Sequence, residues 1–213
     1  MHFLSPLLEN YIADHSESEP LVLQELTRET HLKVIQPRMI TGHFQGRVLS
    51  MLSKIIAPKN ILEIGTYTGY SAICLAEGLQ KEGRLHTIDV NEELGGIQRK
   101  YFDKSGYGSQ IVQHVGDALD VIPTLDVVFD LVFIDAGKTS YDAYFESALS
   151  KTRPGSIILS DNVLWSGKVI EPLQSNDKAT KVLLDYNKKL KDDPRVETVL
   201  LPIRDGLTLS RVL

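Results

Sequence analysis

The chain has 213 residues, enough for one α/β domain with a sizeable core and short for two. Apolar residues make up 42% and charged residues 24%, and a net charge of −5 provides no basic field to attract nucleic acid or anionic lipid. The one cysteine, Cys74, excludes an internal disulfide; no basic stretch leads into an apolar run at the start, and no run nears the roughly 20 apolar residues that span a bilayer, so a cytoplasmic protein is expected.

Leu4, Leu7, Leu8, Tyr11 and Ile12 recur at helical spacing and predict an amphipathic first helix. Ser18-Glu19-Pro20 reads as the cap and first turn of a second helix, which continues to about Thr30. Neither belongs to a strand-helix repeat, so residues 1–35 read as an N-terminal helical extension that could cover a site or meet another subunit. A third helix contains Val48, Leu49, Met51, Leu52, Ile55 and Ile56 and ends before Pro58. Strands are then predicted over 60–64, 84–90, 111–115, 129–134 and 156–159, with helices over 70–79, 93–104, 118–122 and 141–151 between them. Gly95-Gly96 inside the second of these helices costs about 1 kcal/mol per glycine relative to alanine. A helix carrying Ala179, Val182, Leu183, Tyr186 and Leu190 precedes two last strands, 196–201 and 207–212. Asp205-Gly206 favours a reversal between them, so they pair antiparallel. Alternating strands and helices predict an α/β fold with a parallel sheet and helices on both faces, 1–213 forming a single domain. Ligands of such sheets bind at the C-terminal strand edge.

The first strand ends in Glu63-Ile64-Gly65-Thr66-Tyr67-Thr68-Gly69-Tyr70-Ser71. Gly65 and Gly69 allow a tight turn and a close backbone approach to a ligand, and the next helix points its N–H-rich end there. The dinucleotide pattern G-x-G-x-x-G is incomplete, since only G-x-x-x-G is present. A carboxylate at Glu63 repels a pyrophosphate and suits a ligand carrying a sulfonium and an ammonium. Asp89, ending the second strand, can accept hydrogen bonds from two ribose hydroxyls. Gly116-Asp117-Ala118, after the third, can approach an adenine ring. Any one of these fits a plain strand-to-helix turn or a solvated acid; together they point to a nucleoside.

The fourth strand delivers Asp135-Ala136-Gly137-Lys138 and the fifth Asp161-Asn162. Asp135, Asp161 and Asn162 form an oxygen-only set suited to Mg²⁺, Mn²⁺ or Ca²⁺. The histidines are scattered, which argues against zinc hydrolase chemistry. Lys138 stands near the same edge as a possible base; a solvated surface lysine is the plainer alternative. Trp165 fills a wall or stacks on an aromatic acceptor.

These segments resemble the cation-dependent O-methyltransferases of the caffeoyl-CoA type, with the catechol enzymes more distant. The resemblance runs from about Gln36 to the C-terminus and rests on Met39-Ile40-Thr41 with Gly46, on 62–71, on 135–138, and on Asp161-Asn162-Val163-Leu164-Trp165-Ser166-Gly167. It implies a Rossmann-like methyltransferase fold whose seven-stranded, mostly parallel sheet has an antiparallel last strand. It implies S-adenosylmethionine contacts from Thr41, Glu63, Gly65, Thr66, Ser71, Asp89, Ala118 (through its backbone) and Asp135. It also implies metal ligation by Asp135, Asp161 and Asn162, catalysis by Lys138 beside Asp135, a homodimer, and a small aromatic hydroxyl substrate. Gly137 replaces a common acid, and Ser166 stands where the plant enzymes acting on coenzyme A esters have Asn. A nicotinamide-dependent oxidoreductase and a non-catalytic nucleoside-binding module are the rival readings. The incomplete glycine pattern and Glu63 argue against the first, and the intact Asp135, Lys138, Asp161 and Asn162 against the second.

Overall fold

A computed structural model describes residues 5–213, so Leu4, assigned above to the first helix, lies outside the described residues. Helix α1 (Pro6–Asp14) starts at Ser5, whose hydroxyl accepts a hydrogen bond from the Leu8 amide. Helix α2 (Leu21–Lys33) runs past residue 30 and buries Leu23, Leu26 and Thr30. Helix α3 (His43–Ile56) stops at Ala57, in the left-handed conformation just before Pro58.

The alternating part follows as β1 (Asn60–Ile64), α4 (Tyr70–Ala76), β2 (Arg84–Asp89), α5 (Gly95–Ser105), β3 (Ile111–Val115), α6 (Ala118–Thr124), β4 (Leu131–Ile134), α7 (Tyr141–Leu149), β5 (Ile157–Asp161), α8 (Lys178–Asp192), β6 (Val196–Leu201) and β7 (Leu207–Val212). Several boundaries depart from expectation, three of them for a clear local reason or consequence. Helix α4 ends at Ala76, not 79, because the chain turns at Gly78, where a Cβ would stand 2.2 Å from the Ser53 backbone. Gly95 and Gly96 open α5 after a 3₁₀ turn, so they occupy its first turn and not its interior. Strand β5 runs on to Asp161, placing that carboxylate on the strand itself.

The sheet order is β3-β2-β1-β4-β5-β7-β6, and only β7 runs against its neighbours. The chain reverses its direction of sheet growth between β1 and β4, which opens a crevice at their C-terminal ends. Side chains alternate between two apolar layers. Ile61, Phe133 and Leu159 pack with Leu23, Leu49 and Leu75 on one face. Leu62, Val132 and Ile158 pack with Ile122, Phe145 and Leu183 on the other. Glu77 clamps α4 to α3 through Arg47 (2.6 Å), Ser50 (2.6 Å) and Lys54 (2.8 Å). Against the upward pull of burial, those hydrogen bonds hold its carboxyl down at about 2. Among the described residues no helix is long and apolar enough to cross a membrane.

On β2 and β3, His86 and His114 stack with ring centroids 5.2 Å apart, and His86 Nδ1 lies 3.0 Å from His114 Nε2. Burial lowers both imidazoles, and His114 and Arg84 add to the effect at His86. The folded pair thus takes up protons less readily than the unfolded chain, whose histidines titrate near about 6.5. Its contribution to stability is fully present above that pH and is lost as pH falls through the depressed folded values. His114→Gln is expected to melt below the parent at pH 7.5, and by pH 5.5 the gap narrows in differential scanning fluorimetry. A gap independent of pH would count against this account.

Candidate active site

A cleft of about 2140 Å³ lies over the C-terminal ends of β1, β2, β4 and β5. Thr41, Gly65, Thr66, Ser71, Asp89, Ala118, Asp135, Lys138, Asp161 and Asn162 all line it. The volume exceeds that of most single small-ligand pockets, so two ligands have room side by side.

The turn after β1 is held from β2. Asp89 Oδ2 accepts from the Thr66 amide at 3.0 Å and the Tyr67 amide at 2.7 Å, and Oδ1 accepts from Asn91 at 2.9 Å. A carboxylate has about four lone-pair positions, so Asp89 keeps capacity for a ligand hydroxyl. Gly65 has φ +98, and a Cβ there would stand 2.0 Å from the Asp135 carbonyl oxygen. The close approach that requires this glycine is therefore made by the neighbouring strand's own backbone. Gly69, at φ +92, leaves room for the Phe102 ring. Ala118 begins α6 behind Asp117, whose side chain accepts from Leu119 N at 2.9 Å.

Glu63 is wholly buried. Its Oε2 accepts from Thr87 Oγ1 at 2.5 Å, and Thr87 is in turn 2.5 Å from Thr66 Oγ1. Oε1 has no hydrogen-bond partner. Burial pushes the carboxyl up to about 8, opposed by Ser71 and Thr87. The reason is register: Glu63 pairs with Thr87 and Phe133 in mid-sheet, a full residue short of the edge.

Opposite the glycine turn, Asp135 and Asp161 bring two carboxylates together. Asp161 is fully buried, and burial followed by the neighbouring Asp135 charge raises its proton affinity. Its Oδ1 accepts from Asn162 N at 2.8 Å. Asn162 lines the cleft from a left-handed backbone, φ 59. Among the described residues no three His, Cys, Asp or Glu side chains cluster as a metal-binding group. Lys138 is buried, unlike a solvated surface lysine. Its Nζ lies 3.3 Å from both Asp135 Oδ1 and the Asp161 carbonyl, and it donates to the Tyr141 hydroxyl. Tyr141 donates to the Asp161 carbonyl at 2.7 Å. Trp165 packs against the apolar layer of α6, α7 and α8 and also forms cleft wall.

Gln45, Tyr141 and Arg204 escaped the sequence reading. Tyr141 follows Lys138 by three residues, a helical spacing that could have flagged it. Arg204 donates to Gln45 across a long sequence separation, and no local pattern announces such a pair.

The sequence profile of the family described as O-methyltransferase matches residues 13–213. The chain belongs to the O-methyltransferase family. This O-methyltransferase is 35% identical to a caffeoyl-CoA O-methyltransferase of Petroselinum crispum, over 97% of the chain and 91% of that protein. It is 33% identical to a catechol O-methyltransferase of Niastella koreensis, over 96% of each. Among solved structures, the O-methyltransferase TomG of Streptomyces achromogenes in complex with SAM superposes with a TM-score of 0.89 at 30% identity, covering 97% of this chain and 96% of that one. An O-methyltransferase from Bacillus cereus in complex with SAH gives 0.90 at 31%, covering 97% of each. The methyltransferase fold expected from the sequence, with its seven strands and its reversed β7, is thus the fold observed.

The methyltransferase's cleft depends on the Gly65 contact. Gly65→Ala is expected to lose about 3 kcal/mol from backbone strain and overpacking. Urea unfolding measures the loss; a change under about 0.5 kcal/mol, the usual range for surface substitutions, would contradict the contact.

Proposed function

We propose that this O-methyltransferase transfers the methyl group of S-adenosylmethionine to one hydroxyl of a catechol-like or phenylpropanoid acceptor, with a divalent cation held by Asp135, Asp161 and Asn162. The observation that carries the reading is the shared cleft: the glycine turn with Asp89 on one side and the oxygen set with Lys138 on the other. The relatives' named activities, on caffeoyl-CoA and catechol, support the acceptor class.

On the cofactor side, Thr66 and Tyr67 are already tied to Asp89, so the turn needs little reorganisation to receive a nucleoside. Thr41, Ser71, Ala118 and Asp135 complete the proposed contacts. Glu63 acts from behind, through Thr87 and Thr66. The residues fit a cation: burial and the neighbouring Asp135 charge raise the demand of Asp161 for positive charge, and hard oxygen donors suit Mg²⁺, with Mn²⁺ or Ca²⁺ as alternatives. When bound, such a cation lowers the proton affinity of an acceptor hydroxyl. The chain's own part is to align that oxygen with the methyl group, and positioning of this kind is worth on the order of 7–11 kcal/mol. Lys138 is the proposed base, and Tyr141 with the Asp161 carbonyl fixes where its Nζ points. Trp165 offers an aromatic wall to the acceptor.

The decisive experiment is a methyl-transfer assay over a panel of catechols, hydroxycinnamates and their coenzyme A esters, with and without chelator. Chelator is expected to abolish turnover while calorimetry still registers S-adenosylmethionine binding. Full activity in chelator discards the cation. Lys138→Met is expected to lower kcat by about 10²–10⁴, the range of general-base catalysis, with the protein still folded by circular dichroism. An unchanged kcat removes the lysine from the reaction. We also read the chain as one catalytic domain working as a homodimer, which light scattering tests directly.

A further inference from the structure

Residues 202–206, the tip between β6 and β7, touch three separate parts of the cleft. Arg204 Nη1 donates to the Ile40 carbonyl at 3.3 Å, to Gln45 Oε1 at 3.1 Å and, more closely, to the Thr41 carbonyl. Asp205 Oδ1 accepts from Ser166 N at 2.5 Å, and its carbonyl accepts from Leu164 N at 2.9 Å. Gly206 is pressed against Leu164, where a Cβ would fall 2.5 Å from the Leu164 Cγ. Arg204 itself has φ 48, a left-handed backbone that non-glycine residues keep only where the surroundings enforce it.

Gln45 joins this tip to the acidic side of the site. Its side chain is wholly buried. A guanidinium only donates, so the amide must turn Oε1 toward Arg204. Nε2 then faces away from the arginine; it makes no hydrogen bond within the protein, and the Gln45 amide lies beside the Asp161 carboxylate. The opposite amide flip would set oxygen against carboxylate. Arg204 thereby decides which side of the amide Asp161 meets.

We propose that Arg204 is a positioning residue: through Gln45 it sets the Asp161 carboxylate for a divalent cation, and through the Thr41 carbonyl it couples that carboxylate to the cofactor side of the cleft. The inference rests on the cation reading above. Its consequence is that the cation and S-adenosylmethionine bind cooperatively, because both draw on the same arginine.

The test is Mn²⁺ binding to the full chain without acceptor, followed by electron paramagnetic resonance, in the presence and absence of S-adenosylmethionine. In the parent, S-adenosylmethionine tightens Mn²⁺ binding several-fold. Arg204→Met weakens Mn²⁺ about tenfold, the lower end of what is lost when a group that orients a metal ligand is removed, and the tightening disappears. Arg204→Lys, which can still donate, recovers part of both. Gln45→Leu reproduces the loss, and the double variant loses no more than either single one, as expected for one chain of contacts. Arg204 is exposed, so its replacement leaves the fold intact even if Gln45→Leu does not. A lowered melting temperature with Mn²⁺ affinity and coupling unchanged overturns the proposal and leaves a purely structural staple. A parent that binds no Mn²⁺ overturns the cation reading, and this inference with it.

Discussion

The site rests on the contact between the tips of β1 and β4. The Asp135 amide donates to the Ile64 carbonyl at 2.9 Å, and the Asp135 carbonyl then lies where no side chain fits at residue 65. That one approach fixes the glycine turn and a key carboxylate relative to each other. The glycine turn and the acidic side of the cleft are therefore one rigid unit, set by strand pairing and not by loop packing.

From that unit the remaining parts reach outward. Asp89 comes from β2, on one flank, and Asp161 from β5, on the other. Lys138 is carried on the turn entering α7 and pinned by Tyr141, which is itself buried edge-on against Tyr186. Two polar groups are unusual for their depth: Asp161 and Glu63 are both buried carboxyls that burial pushes upward. A domain keeps such groups only where surrounding contacts or a ligand offset the cost of removing them from water.

Much of this was legible in the chain. Strand and helix runs and the two glycines are local signals, and the elements follow in the order that the periodicity put them. Boundaries were less legible because tertiary packing sets them: Gly78 ends α4 by meeting Ser53, and β5 is extended to Asp161 by its pairing with β7. The depth of Glu63 was not legible, because the motif reads as a continuous string while the pleat turns its side chain inward. The arginine at 204 was invisible, since its partners at 40, 41 and 45 are far away in sequence and carbonyl oxygens leave no mark on it.

The reversed strand β7 has a further consequence. It brings a hairpin tip, and not a helix, to the edge where the parallel strands end, so Pro202 and Ile203 join Trp165 and Ser166 in one wall of the cleft. That wall is made of short connecting segments, whereas the opposite wall is sterically locked at Gly65. Mutational drift can reshape the first wall while the second stays constant. A lineage built on this scaffold can vary one side of its cleft without disturbing the other.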